Sequence, residues 1–178
     1  MANTVEPIRN KKDIAKIKNA LNGRDRLMFV MGISLGLRIS DLLALKIGDL
    51  RGKTHITLKE QKTKKNRPIK LSKTVMAEVA ALTGPDDEYV FKSRQGGNKP
   101  ISRVQAYRIL NAAAERAGVN IEIGTHTLRK TFGYQLYKQG LDITRIMLIL
   151  GHSTPAMSLK YIGITSEEID QAYEAIEI

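Results

Sequence analysis

Apolar side chains recur every three or four positions through most of this chain and every second position in one stretch, which predicts a mostly helical protein with a small sheet. Ile14, Ile17 and Leu21 fall at helical spacing within Lys11 to Leu21. Arg24 to Gly36 carries a denser apolar run that reads as a buried helix ended by Gly36. Ser40 is the expected N-cap of a further helical stretch, Asp41 to Lys46, which Gly48-Asp49 breaks, so Arg38 should lie at a junction between helices. Thr54 to Leu58 alternates and is rich in β-branched residues, and Arg67 to Leu71 alternates again, which predicts a hairpin with a basic tip over Glu60 to Asn66. Pro68 lacks an N–H for a ladder, so the returning strand is expected at an edge or irregular there. Tyr89-Val90-Phe91 is expected to add a short third strand.

The second half reads as helices alone. Lys73 to Leu82 is helical in character, and Gly84-Pro85-Asp86 and the loop Arg94 to Pro100 separate it from a stronger helix. Ser102-x-x-Gln105 is the capping box of that helix, which should run to Ala117 and end at Gly118 in the left-handed region. In Thr125 to Gly140, Leu128, Phe132 and Leu136 make one stripe, while His126, Arg129, Lys130 and Gly133 share the other face, so one side should pack and the other meet a ligand. Asp142 to Leu150 stops at Gly151. Thr154-Pro155 then starts a short helix with Tyr161 near its end and His152 in the intervening turn. Thr165-x-x-Glu168 should cap a last amphipathic helix bearing Ile169, Ala172, Tyr173 and Ile176.

Composition narrows the chemistry. There are no cysteines and only three scattered histidines, so disulfides and thiolate metal sites are excluded and a zinc site is not expected. No phosphate-binding G-x-x-x-x-G-K-[ST] loop, signal peptide or apolar run long enough to span a bilayer is present, so we expect a cytoplasmic domain with no membrane partner that works without cofactor or metal. The net charge is +11. Residues 162–178 hold five acids and no Lys or Arg, which leaves +16 on the remainder. Such an excess favours a polyanionic partner, because each phosphate met by Lys or Arg releases condensed counterions. Read alone, the charge fits simple solubility as well as a nucleic-acid partner.

Three segments carry candidate chemistry: Gly36-Leu37-Arg38-Ile39-Ser40-Asp41, His126-Thr127-Leu128-Arg129, and Leu150-Gly151-His152 with Tyr161 nine positions after the histidine. Guanidinium groups can neutralise phosphate oxygens, imidazoles can move protons, and a phenol can attack phosphorus. In order and spacing, from about Arg26 to Tyr161, these segments resemble the signature boxes of the tyrosine recombinase (phage integrase) family.

The resemblance implies an α+β fold, mostly helical with a small three-stranded antiparallel sheet, and site-specific cleavage and rejoining of DNA through a 3′-phosphotyrosyl intermediate. By the same resemblance Tyr161 is the nucleophile, Arg38 and Arg129 clamp the phosphate, His126 has a proton-transfer or hydrogen-bonding role near the tyrosine, and His152 hydrogen-bonds a non-bridging oxygen. Lys62 takes the place of the general acid on the hairpin, with Lys64 and Lys65 as competitors. Ser40, Lys64, Lys65, Arg67 and Lys130 are the expected DNA contacts; Lys130 stands where many relatives carry histidine. Nearby cations are expected to ease ionisation of a phenol whose reference pKa is roughly 10.

We expect a single catalytic domain over residues 1–178, without the preceding helical DNA-gripping domain of most members: either a truncated chain or a short, stand-alone form. A lone domain covers one face of a duplex, so monomers should bind weakly and assemble on double-stranded DNA, as a tetramer by resemblance. Residues 162–178 would then either pack on their own domain or pass to a neighbouring protomer. Two rivals remain: a DNA-binding regulator that does not cut, and a type IB topoisomerase-like relaxing enzyme.

Overall fold

The computed structural model describes residues 5–164 together with Glu168 and Glu174. Helices α1 (Lys11–Asn19), α2 (Gly23–Leu35), α3 (Ile39–Leu43) and α4 (Ile47–Leu50) precede a hairpin of β1 (His55–Lys59) and β2 (Asn66–Lys70). Helices α5 (Lys73–Ala80), α6 (Arg103–Arg116), α7 (Thr127–Lys138), α8 (Ile143–Leu150) and α9 (Pro155–Ile162) follow. The predicted fold class, mostly helical with a small antiparallel sheet, is the one observed. The last predicted helix lies outside the described residues, apart from Glu168 and Glu174.

The sheet differs from expectation in its third strand. β1 and β2 pair antiparallel, with Ile56 opposite Ile69 and Thr57 opposite Pro68, and among the described residues no further strand joins them. Tyr89 to Phe91 pairs elsewhere: Val90 donates to the Leu45 carbonyl, Ile101 donates to the Phe91 carbonyl, and Tyr89 bridges Lys46. Its apolar side chains, Val90 and Phe91, are drawn into the core beside Leu45 and Ile101, away from the hairpin. In a two-stranded ribbon each strand has an open edge, so Pro68 costs no ladder bond that a neighbour required.

α2 is buried nearly all round and crosses α7 closely. A Cβ on Gly32 would come within 2.4 Å of Leu128 Cδ1, so only glycine allows this approach. Gly36 closes α2 at φ 57°, and a Cβ there would meet the Phe132 ring at 2.2 Å. Gly118 ends α6 at φ 64° as expected, and Ser102 Oγ accepts from the Gln105 N–H at the other end.

α7 carries apolar contacts on both sides and stands between two cores. Leu128 joins the main core built on α2, whereas Phe132, Leu136 and Tyr134 join a smaller one with Ile146, Leu150 and Ile162 of α8 and α9. The expectation of one packed and one open face is corrected by Gly133, whose position faces Ile162 and Leu150, and by Arg129 and Lys130, which are 3 % and 4 % exposed. The side named as ligand-facing is roofed by α9, and only its N-terminal end opens to solvent.

Candidate active site

The termini of four helices and the hairpin tip converge on one place. α3 begins at Ile39 with Arg38 as its N-cap, so Ser40 is inside the first turn and not the cap expected of it. The reason is the extended backbone of Arg38 (ψ 145°), two residues after the left-handed Gly36, which starts the helix two residues early. Arg38 Nη1 lies 2.7 Å from Glu60 Oε2 and 4.0 Å from Asp41 Oδ2. Yet among the described residues Arg38 Nη1 and Asp41 Oδ2 have no well-directed hydrogen bond. Arg38 Nη1 is thus a buried donor, paired with Glu60 by charge more than by direction.

Arg129 reaches the same place from the first turn of α7. Its Nη1 donates to the Gly36 carbonyl at 2.6 Å and its Nη2 to the Leu150 carbonyl, so it ties together the C-terminal ends of α2 and α8. Arg67 also points inward, donating to the carbonyls of Leu35 and Gly36 at 3.0 and 3.2 Å. Burial, with Arg129 alongside, pushes the Arg67 guanidinium down to about 10. A side chain read from sequence as a DNA contact is thus spent in part on anchoring β2 to α2.

Tyr161, in the last turn of α9, is half-buried, with its hydroxyl 3.1 Å from His126 Nδ1. The His152 ring meets its ring edge-on with centroids 4.7 Å apart, and Lys130 Nζ lies 5.3 Å from the ring centre. Lys130 therefore packs beneath the tyrosine, a position the spacing did not foretell. His152 Nδ1 is 3.0 Å from the Oγ of the fully buried Ser158, which fixes the imidazole in the turn between α8 and α9.

The electrostatics confirm one shared pocket. Burial, then Arg129 and other cations including Arg38, holds His126 and His152 below the usual histidine value, so both are neutral at neutral pH. Burial raises the Tyr161 phenol above its ordinary value even though Arg129 and Arg38 pull it down. The expected easing of ionisation is present but outweighed, so a base must take the proton as the phenol reacts. With its own proton on Nε2, His126 Nδ1 is placed to accept it.

A cleft of about 810 Å³ opens beside these groups, lined among others by Arg38, Ser40, Gln61, Lys62, Arg103 and His126. Lys62, Lys64 and Lys65 are exposed on the hairpin tip, and Lys64 holds φ 59°, an uncommon conformation for a residue with a side chain. Only Lys62 of the three lines the cleft. Among the described residues no group of His, Asp and Glu side chains is arranged to hold a metal.

Sequence reading did not single out Glu60, Ser158 or the inward turn of Arg67. The signal for Glu60 was present: it continues the even-numbered face of β1, Ile56 and Leu58, which points to the core.

The sequence model of the phage integrase family matches residues 9–168. A probable integrase/recombinase, YoeC of Bacillus subtilis, is 45 % identical over 175 residues covering 96 % of each chain. The tyrosine recombinase XerA of Pyrococcus furiosus is 30 % identical over 156 residues, 85 % of this chain but 54 % of that one. The chain thus spans about half of that longer relative. Among solved structures, a XerA recombinase superposes with a TM-score of 0.79 at 19 % identity, over 100 % of this chain and 66 % of the other. A lambda integrase tetramer bound to a Holliday junction superposes at 0.69 and 19 % identity, over 90 % and 49 %. With the family's sequence pattern matched across the arginines, histidines and tyrosine that the fold gathers into one pocket, the chain belongs to the phage integrase family.

Proposed function

We propose that this chain is a site-specific DNA recombinase that breaks and rejoins strands through a 3′-phosphotyrosyl bond, acting in the cytoplasm as a single catalytic domain. The observation that carries the reading is the contact of Tyr161 with His126 inside a pocket that Arg38 and Arg129 both charge. A scissile phosphate enters the cleft, meets the Arg38 guanidinium that lines it, and meets the remaining donors of Arg129. As Tyr161 Oη bonds to phosphorus, its proton passes to His126 Nδ1. The P–O5′ bond breaks, and the departing oxygen takes a proton from Lys62. A 5′ hydroxyl of a second strand reverses these steps, so the bond energy is conserved in the covalent link and no nucleotide is consumed. Half-buried Ser40 and the exposed Lys64 and Lys65 would position the backbone, with Arg67 and Lys130 supporting the pocket from below.

The relatives' names and the DNA-bound structure with the same fold support double-stranded DNA as the partner and assembly of several copies, as a tetramer, on it. The positive charge of the chain agrees with this.

Nicked duplexes with a randomised core, incubated with the protein and run under denaturing conditions, test the proposal. A protein–DNA adduct that Tyr161→Phe abolishes is expected. DNA binding without any adduct would leave a non-cutting regulator, and resealing of single plasmids without strand joining would indicate a relaxing enzyme.

A further inference from the structure

We propose that Glu60 is a positioning residue that braces the hairpin tip against Arg38, so that Lys62 is held over the leaving oxygen of the phosphate bound by that arginine. The proposal rests on the recombinase reading and adds to it a residue that no signature box contains.

Glu60 is the residue at which the tip closes. Its N–H donates to the Lys65 carbonyl at 3.0 Å, and its own carbonyl accepts from the Lys64 N–H at 2.9 Å. Its side chain faces the other way, into the protein, where Oε2 accepts from the Thr63 hydroxyl at 2.6 Å and lies 2.7 Å from Arg38 Nη1. Oε1 stands 3.9 Å from Arg67. One carboxylate therefore joins two residues of the tip, Glu60 and Thr63, to the first arginine of the clamp. Lys62 lies between them. The adjoining Gln61 N–H donates to Asp41 Oδ1 at 2.9 Å, a second tie from the tip to the start of α3.

A different role, that of an anion occupying the clamp until DNA displaces it, fits the placement poorly. Glu60 is only 7 % exposed, and it is absent from the residues lining the cleft, whereas Arg38, Gln61 and Lys62 all line it. The carboxylate is behind the arginine as seen from the cleft. Burial works to raise the Glu60 carboxyl, but the Thr63 hydroxyl and Arg38 outweigh it and keep the group ionised below the usual carboxylate range. The brace is charged throughout the pH range in which the protein would act.

Loss of the brace should harm the step that needs Lys62 more than the step that needs Arg38. A substrate in which sulfur replaces the bridging 5′ oxygen separates them, because a thiolate leaves without a proton; its conjugate acid resembles a cysteine side chain, with a pKa of about 8.5. Duplexes recovered by wild-type covalent capture from the randomised pool are prepared with either bridging atom, and adduct formation is timed. Glu60→Ala and Lys62→Ala should slow the oxygen substrate by about 10- to 100-fold and form adduct on the sulfur substrate at the wild-type rate, whereas Arg38→Ala should be slow on both. Glu60→Gln keeps the size and an acceptor for Thr63 and should fall between; it also serves where Glu60→Ala does not fold.

Equal slowing of the Glu60 variants on both substrates would overturn the proposal. So would an unimpaired rate accompanied by tighter DNA binding, which would make Glu60 a competitor for the clamp. A wild-type protein that forms no adduct on any duplex would remove the recombinase reading and this proposal together, whereas failure of the sulfur rescue alone would leave that reading in place.

Discussion

Part of the Arg129 guanidinium is directed at the carbonyls of Gly36 and Leu150, and part faces Tyr161, so one side chain joins the ends of two helices and charges the pocket. Among the described residues Arg38 pairs with the buried carboxylates of Asp41 and Glu60. Removal of each should therefore cost both stability and chemistry. Arg129→Ala leaves two carbonyls at buried helix ends without their donor and should lower unfolding stability by about 2–5 kcal/mol, read by denaturant titration. Arg38→Ala leaves the buried carboxylates of Asp41 and Glu60 without their nearest cation, so it should cost about 3–5 kcal/mol while also abolishing rapid adduct formation. Lysine at 129 cannot serve both carbonyls with one ammonium and should recover little of the loss.

The histidines set the pH dependence. Both are held below the ordinary value of 6.5, so as pH falls the unfolded chain takes up these protons before the folded protein does. The stability they confer is complete above the unfolded value and is lost as pH drops through the folded ones. Adduct formation should follow the same direction, level near neutrality and falling only on the acid side, and His126→Gln should remove that acid limb from the pH–rate profile. A rate that rises steadily toward high pH would instead place the control in ionisation of the free phenol.

At the scale of elements, close approach decides which glycines matter. Gly32 on α2 faces Leu128 Cδ1 at 2.4 Å and Leu128 Cβ at 3.2 Å, so a methyl group there presses on the α2–α7 crossing that delivers both Arg38 and Arg129. Gly32→Ala should cost about 1–3 kcal/mol by overpacking and should slow adduct formation as well, since Arg38 and Arg129 stand at the ends of the displaced helices. The hairpin tip offers the opposite change. Lys64 occupies φ 59°, where a side chain costs roughly 1 kcal/mol, so Lys64→Gly should stabilise the tip or leave it unchanged while removing one positive charge from DNA binding. A weaker salt dependence of binding, without loss of thermal stability, is the expected pair of results.

These elements also show what a sequence can carry. Helical spacing, the Ser102 cap and the glycines at 36, 118 and 151 are local signals, and the helices stand where those signals point. The convergence of Arg38, His126, Arg129, His152 and Tyr161 was legible through fixed spacing within each box. The inward turns of Arg67 and Lys130 were not, because a long basic side chain reads the same whether its head meets water or a carbonyl across the molecule. Glu60 was obscured by the charged run around it, although its strand parity pointed inward. Tyr89 to Phe91 has the composition of a strand, but its partner is chosen by tertiary packing.

For the molecule as a whole, the segment before α1 matters beyond its length, because it links the two cores across α7. The buried Ile8 N–H donates to Thr131 Oγ1 at 2.8 Å, and Gln135 Nε2 donates to the carbonyls of Ile8 and Arg9. Arg9 then crosses to the other side of α7. Its guanidinium lies over the Tyr134 ring at 5.0 Å, donates to Glu168 Oε2 at 3.0 Å and donates to the Gly163 carbonyl, two residues after Tyr161. Tyr134 Oη donates to the other Glu168 oxygen at 3.2 Å. The helix that carries Tyr161 is thereby fastened at its C-terminal end by a residue from the opposite end of the chain.

The two parts of this strap should respond differently to mutation. Thr131→Val removes the acceptor of a fully buried N–H and should cost about 1–3 kcal/mol of global stability, since Ile8 sits in the main core. Arg9 is 35 % exposed in its side chain, so Arg9→Ala should cost no more than about 1 kcal/mol globally. Its effect should be local, in faster amide hydrogen exchange at Gly163 and Ile164, whose N–H groups bond back into the last turn of α9. Because that turn carries Tyr161, its loosening should also slow adduct formation while DNA affinity is kept. Unchanged exchange at Gly163 and Ile164 in Arg9→Ala would show that α9 is held by the Ile162 contacts with α7 and α8 alone, and that the strap serves only the main core.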